Sequence, residues 1–357
     1  MADLILFVIA LSILVVVHEL GHFVAAKLTK TKVEEFGLGI PPKIWGKRRG
    51  ETEWSLNALP IGGFVRLYGE NPDAGDEKQS VEWKRRSFVE KNPWQKLLIV
   101  IGGVMMNVVA AVAIFAVVYL VVGVPRETGE VRIVGIAKGS PAEKAGLRED
   151  DWIVAVEGTT ISKPEELTKI ASEKKGHKVV MTVERGGEVG QYEIEAREKP
   201  PEGEGAMGVS ISNTVMDKIA WYEIHRGIGA GFKEAFFWGK IIFDGVGKMV
   251  GGLLTGQVPS DVAGPIGMYQ ATSSIRKGQG LLAVMHFFGI VSVNLAVVNI
   301  LPFPALDGGR IMFVLYELVT RRRANQKVEI LVNNIGMMFL LGVILLVTVA
   351  DIVRVIR

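Results

Sequence analysis

Long apolar runs dominate the hydrophobic pattern of the chain, and they cover residues 4–26, 95–123, 280–303 and 330–350. Each run is long enough for a helix to cross the roughly 30 Å of hydrocarbon in a bilayer. A cleaved signal peptide also contains an apolar run, but only Asp3 precedes the first run here, where a signal peptide carries basic residues. The pattern therefore predicts a polytopic α-helical membrane protein with about four transmembrane helices.

Basic residues are concentrated in two connecting segments, and this predicts the orientation of the chain. The segment between the first two runs is rich in lysine and arginine, and Arg321, Arg322 and Arg323 lie between the last two. Cytoplasmic loops of membrane proteins carry such an excess of positive charge. We therefore expect both segments in the cytoplasm, with the two termini and residues 125–279 outside a cytoplasmic (inner) membrane.

Two of the connecting segments carry β-strand signals. Residues 33–68 contain β-forming residues interrupted by Pro60-Ile61-Gly62-Gly63, which predicts a hairpin that dips toward the membrane. Residues 125–202 mix strand and helix signals and predict a soluble α+β unit, a small and partly open β-barrel with two helices. Its stretch GSPAEKAGLREDDWIVAVEG resembles PDZ domains of the circularly permuted bacterial kind.

Residues 217–256 have an amphipathic pattern. Lys240, Asp244 and Lys248 recur every four residues and fall on one helix face, while aromatic and aliphatic residues lie elsewhere. We expect a helix that lies in the outer interface of the membrane. A fifth span is the alternative, which these charges disfavour.

Composition limits the classes of site and partner. Hydrophobic residues make up 49% of the 357 residues and the mean hydropathy is +0.30, as expected of a membrane protein with a soluble part. The net charge of +3 gives no indication of a nucleic acid partner. The chain has no cysteine, so a metal ion would have to be bound by histidine and carboxylate groups.

The sequence His18-Glu19-Leu20-Gly21-His22 lies inside the first apolar run. Residues i and i+4 share a helix face, so His18 and His22 can bind one zinc ion while Glu19 acts as general base toward an activated water. A polar pair that holds helices together is the alternative, but such contacts more commonly use Ser, Thr, Asn or Gln. Because ionisable groups are costly inside a span, the cluster predicts a functional site.

A catalytic zinc site needs a third protein ligand, which must lie at the same depth as His18. Asp307 follows the third run in NILPFPALDGG, and this run ends on the side where the predicted orientation places His18. His286 begins the same run on the opposite side. Pro302 and Pro304 interrupt the helix before Asp307, as in irregular segments that line a cavity. Asp307 is the predicted third ligand, and an N-cap of the next helix is the alternative role.

Together these motifs resemble the bacterial site-2 proteases of the RseP-like type. The resemblance rests on HELGH, on NPWQKLLIVIGG with the asparagine that follows it (Asn107), on the PDZ-like unit, on GPIG at 264–267 and on SVNLAVVNILPFPALDGG. It implies an intramembrane zinc metalloendopeptidase with one Zn²⁺ per chain. Its substrates would be transmembrane segments of single-span proteins, such as an anti-sigma factor already cut by another protease, or remnant signal peptides.

The resemblance also assigns residues. His18, His22 and Asp307 match the family's zinc ligands, and Glu19 matches its catalytic residue. Positions that handle the substrate fall on Asn294, Asn299, Pro302, Pro304, Gly62, Gly63 and Phe64. Residues 217–256 resemble a helix that gates access. The PDZ-like unit is open to two interpretations, a steric gate and a receptor for peptide tails.

These predictions divide the chain into seven segments. They are a first transmembrane helix (1–28), a cytoplasmic loop with the hairpin (29–94), a second transmembrane helix (95–124), the PDZ domain (125–202), a post-PDZ segment (203–279), a third transmembrane helix (280–310) and a cytoplasmic turn with a fourth transmembrane helix (311–357). A non-catalytic scaffold and a transporter with a metal site are the rival functions. The scaffold would not need Glu19, and the transporter predicts repeated spans, which the sequence lacks.

Overall fold

The computed structural model of the protein describes residues 2–70, 81–201, 204–255 and 264–356. The chain divides into two compact units. The first comprises residues 1–121 and 221–357, and the second comprises residues 122–220. Helices and strands are numbered along the whole chain.

The first unit contains the four predicted long apolar helices. They are α1 (Ala2–Leu28), α3 (Pro93–Val122), α8 (Leu281–Ile300) and α10 (Gln326–Ile356). Among the described residues, the unit also contains four shorter or more polar α-helices: α2 (Val81–Arg86), α6 (Ile224–Leu254), α7 (Pro265–Gln279) and α9 (Asp307–Thr320). The predicted cytoplasmic turn after the third span therefore contains most of a helix, α9. The seven predicted segments do not include this helix as a separate element, because its short amphipathic pattern directly follows the apolar run of the third span.

The predicted hairpin is present, but its turn lies elsewhere. Strand β1 (Val33–Arg49) pairs antiparallel with β2 (Thr52–Leu67), and the chain turns at residues 50–51. Residues 35–38 pair with 53–56 and also with 63–66, so β2 contacts β1 twice. The interruption at 60–63 allows this second pairing, since Gly62 has a φ of +89° that other residues rarely adopt. It is not the turn of the hairpin.

Helix α6 lies within the segment that the amphipathic pattern marked. It packs closely on α3 at Gly231, where an added β-carbon would lie 2.7 Å from the carbonyl oxygen of Val112. Its large exposed side chains include Phe232, Phe236 and Phe243. The helix is not among the four candidate spans, and its location in the outer interface stays a prediction.

The second unit is a six-stranded sheet with two short helices. The strands are β3 (Val124–Ile136), β4 (Trp152–Val156), β5 (Thr159–Thr160), β6 (Lys178–Arg185), β7 (Glu188–Glu195) and β8 (Val209–Asp217), and the helices are α4 (Pro141–Lys144) and α5 (Pro164–Glu173). The sheet order is β7-β6-β4-β3-β8, with β5 beside β4. This order leaves the predicted barrel unconfirmed. The predicted boundary at residue 202 is wrong, because β8 pairs with β3 and extends the unit to Ala220.

Candidate metal centre

Three predicted ligands converge in the first unit. His18 and His22 occupy consecutive turns of α1, and Asp307 is the first residue of α9. The Nε2 atoms of the histidines lie 3.3 Å apart, and Oδ2 of Asp307 lies 3.1 Å from Nε2 of His18 and 3.4 Å from Nε2 of His22. The side chains are only 11–15% exposed. The helix spacing therefore places two imidazoles and one carboxylate around a single point.

The spacing of these three atoms fits a tetrahedral zinc ion. Zinc bonds to histidine nitrogen and carboxylate oxygen are about 2.0–2.1 Å long, so two ligand atoms of a tetrahedral site lie about 3.3 Å apart. The three observed distances surround that value. The buried Oδ2 of Asp307 also has no hydrogen-bond partner within the part of the chain that the structure describes. Two imidazole nitrogens and one carboxylate oxygen that converge in this way can be satisfied by a bound cation.

Helix α3 contributes no ligand but holds both imidazoles. Nδ1 of His22 donates to the carbonyl oxygen of Ile99 at 2.9 Å, and the side-chain amide of Asn107 lies 3.2 Å from Nδ1 of His18. Between them, Gly103 leaves the space that the rings occupy. An added β-carbon at Gly103 would lie 2.4 Å from Nε2 of His22 and 2.7 Å from Cε1 of His18.

The loop before α9 positions Asp307. Gly308 packs on it so tightly that a β-carbon there would lie 1.9 Å from the carbonyl oxygen of Leu301. Helix α10 supports the loop from the other side, through Gly336 against Pro304 and through a 3.3 Å hydrogen bond from the amide of Ala305 to Asn333. The predicted alternative role of Asp307 as an N-cap is wrong, because the N-cap of α9 is Leu306.

A cavity of about 440 Å³ surrounds the three ligands. Glu19, Asn299 and Phe64 line it, together with Arg310 one turn after Asp307. The main chain of β2 also comes close, since a β-carbon added to Gly63 would lie 3.4 Å from the γ-carbon of Glu19. The predicted general base, two predicted substrate positions and the ligands therefore share one space, with the hairpin beside them.

Other predicted positions lie outside the lining of this cavity. Asn294 is partly buried on α8, Pro302 is exposed, and Pro304 packs on α10. His286 is not brought to the site, as predicted. Its Nε2 lies 2.9 Å from Oε1 of Glu234 on α6 instead.

Sequence reasoning missed the residues that support the ligands. Ile99, Gly103 and Asn107 follow one another at four-residue intervals, so they share one face of α3. That spacing could have identified the face, but an isoleucine and a glycine in an apolar run resemble ordinary span residues. Arg310 was also missed. Its guanidinium forms an ion pair with Glu70, which follows the hairpin.

Comparison with known proteins agrees with this site. Residues 6–343 match peptidase family M50. A protein of Clostridium perfringens named "Putative zinc metalloprotease" is 34% identical over 348 residues, which cover 97% of each chain. A second protein of that name, from Clostridium acetobutylicum, is 30% identical over 351 residues, covering 98% of this chain and 97% of its own.

Among solved structures, the PDZ domain of an SdrC-like protein from Listeria monocytogenes is similar to 23% of this chain and 87% of its own, with 20% identity and a TM-score of 0.21. The family match, in contrast, extends over nearly the whole sequence and includes every residue of the metal centre. The chain belongs to peptidase family M50 and is a zinc metalloprotease with membrane-spanning helices.

Proposed function

We propose that the protein is an endopeptidase that hydrolyses peptide bonds within transmembrane segments of single-span membrane proteins. The observation that carries the proposal is the convergence of His18 and His22, on the candidate span α1, with Asp307, the first residue of α9, and with Glu19 in the same cavity. These three side chains would bind one Zn²⁺ per chain. Membership of a peptidase family argues against the rival function of a non-catalytic scaffold, which would need neither Glu19 nor a metal centre.

In the proposed hydrolysis, the metal site and Glu19 have different roles. Zinc, when bound, supplies a Lewis acid that lowers the pKa of a water molecule and polarises the scissile carbonyl. The Glu19 carboxylate accepts a proton from the attacking water and delivers it to the nitrogen of the leaving amine. The water oxygen first forms a bond to the carbonyl carbon. The carbon–nitrogen bond then breaks as the leaving nitrogen receives the proton that Glu19 took.

The hairpin supplies a surface for the substrate. Residues 63–67 of β2 pair with β1 on one side, and among the described residues no strand pairs with their other side. An extended substrate segment can pair with such an edge, which leaves its carbonyl groups accessible. Since Gly63 lies against Glu19, a strand held there passes the general base. Phe64 and Asn299 would contact its side chains, while Asn294, Pro302 and Pro304 would act by shaping the loop and α8.

The second unit contains a groove that suits a peptide. It lies between α5 and the segment that leads into β8, has a volume of about 290 Å³, and is lined by Leu167, Ala171, Met207, Val209 and Ile211 among others. Strand β8 ends the sheet, so its outer edge is available for pairing. This favours a receptor for the tail of a pre-cleaved substrate. A steric gate remains the alternative, and occupancy of the groove by peptides would decide between them.

The proposed location is a cytoplasmic membrane, with the second unit and both termini outside and the hairpin inside. The charge distribution of the loops supports this orientation. Because the chain has no cysteine, single cysteines at two exposed positions, Lys47 and Glu188, can test it. In intact cells an impermeant maleimide should label the cysteine at 188 and not the one at 47.

The deciding experiment compares purified wild type with two site variants and one control variant in detergent. Glu19→Gln should retain zinc and lose cleavage of single-span substrates, because Glu19 is not a ligand. His18→Gln should lose both. His177→Gln is the matched control, since His177 is exposed in the second unit and its loss should change neither. A wild type without zinc, or equal cleavage by Glu19→Gln, would contradict the proposal.

A further inference from the structure

One face of α3 is directed at the two histidine ligands. Ile99, Gly103 and Asn107 lie on this face at successive turns, and each contacts an imidazole. A histidine that binds zinc through Nε2 must carry its proton on Nδ1, and that proton needs an acceptor. The same face of α3 can therefore determine the tautomer of both ligands.

The acceptor for His22 belongs to the main chain. Nδ1 of His22 donates to the carbonyl oxygen of Ile99 at 2.9 Å, and this leaves the lone pair of Nε2 directed at the ligand cluster. Ile99 is 1% exposed, so water does not compete for this oxygen. Any residue at position 99 other than one that breaks the helix would supply the same carbonyl group.

The acceptor for His18 has to come from a side chain. The amide of Asn107 lies 3.2 Å from Nδ1 of His18, and Asn107 is fully buried. The nitrogen and oxygen of an amide are distinguished by their hydrogen-bond partners. The structure directs Nδ2 at His18, and Oδ1 of Asn107 then has no hydrogen-bond partner among the described residues. With the oxygen directed there, Oδ1 accepts the Nδ1 proton and Nε2 is free to bind zinc.

We propose that Asn107 is a positioning residue that holds His18 in its zinc-binding tautomer by accepting a hydrogen bond from Nδ1. The main chain of Asn107 is itself fixed, because the buried Ser292 of α8 donates to its carbonyl oxygen at 2.8 Å. The inference rests on the proposed zinc centre and adds to it a residue that would act through His18.

The test measures zinc affinity of the purified full-length protein by competition with a chromogenic chelator. Asn107→Leu keeps the size of the side chain and removes the acceptor, and we expect zinc binding to weaken about 10- to 100-fold. Asn107→Asp keeps an acceptor oxygen and should bind zinc at least as tightly as wild type. Cobalt-substituted protein provides a second readout, since the d–d absorption of wild type should persist in Asn107→Asp and change in Asn107→Leu.

Ser292→Ala removes the hydrogen bond to the main chain of Asn107 but leaves the side-chain acceptor, so it should weaken zinc binding less than Asn107→Leu. Size-exclusion chromatography and circular dichroism report whether each variant folds, and Asn107→Ala replaces Asn107→Leu if the latter does not. Equal zinc affinity of wild type and the folded apolar variant, or an aspartate variant as weak as leucine, would overturn the inference. A wild type that binds no zinc would contradict the proposed function instead.

Discussion

Replacing Gly103 with alanine tests how closely α3 and the ligands are matched. The added β-carbon would lie 2.4 Å from Nε2 of His22, whereas ordinary contacts begin near 3.4 Å. Either the imidazole or the backbone at Gly103 would have to move by about 1 Å. Gly103 lies in the closely packed helix α3, so we expect the imidazole to move. Because ligand distances in zinc sites vary by only about 0.2 Å, this displacement is several times what the site can absorb.

We expect Gly103→Ala to weaken zinc binding at least 10- to 100-fold and to reduce cleavage by about 100-fold. Zinc would be measured by chelator competition and cleavage with a tagged single-span substrate in detergent. Gly342→Ala on α10 is the matched control, since nothing lies within 4 Å of an added β-carbon there. A folded Gly103→Ala protein with wild-type zinc affinity and turnover would refute the reasoning.

Three further predictions concern other parts of the chain. Gly63→Ala places a methyl group beside Glu19, the proposed general base, and 3.0 Å from a backbone oxygen of β1, so cleavage should fall while zinc content, measured by metal analysis, stays the same. Lys96→Met strands the buried Glu317 and should destabilise the fold by about 3 kcal/mol in thermal unfolding, most of which Lys96→Met with Glu317→Leu should restore. Burial raises the pKa of Asp151, but the Arg185 guanidinium outweighs it and lowers that pKa. The resulting stabilisation is present above the unfolded-state pKa of about 4 and is lost as the pH falls through the lowered pKa. Asp151→Asn removes charged hydrogen bonds with Arg185, so it should lower the free energy of unfolding in denaturant by about 2 kcal/mol at pH 7 and make it insensitive to that change in pH.

The spans and the metal ligands could be predicted because local rules determine them. The length of an apolar run determines whether a helix crosses the membrane, and the spacing of His18 and His22 determines that they share a face. Asp307 required one further step, the comparison of depths along two runs that the predicted orientation directs the same way. Each of these inferences uses neighbouring residues or a count along the chain, and in the structure the long helices are present and the three side chains lie together.

The remaining features depend on contacts between distant residues. Strand β8 belongs to the second unit because Val209 and Ile136 pair across more than seventy residues, which no local pattern shows. The turn of the hairpin was misplaced because Gly50 and Gly62 both suit turns, and only the double pairing of β1 distinguishes them. The role of Gly103 depends on imidazole rings that belong to α1, so the apolar run that contains Gly103 gave no indication of it.

Under the proposed function, the hairpin beside the metal centre would serve two purposes. The carbonyl groups of a substrate helix are hydrogen-bonded within the helix, so the segment has to unwind before a single carbonyl group is accessible to attack. Unwinding exposes backbone groups that the membrane cannot satisfy. The edge at Gly63 would provide hydrogen bonds for the unwound segment and, because Gly63 lies against Glu19, would direct that segment past this carboxylate.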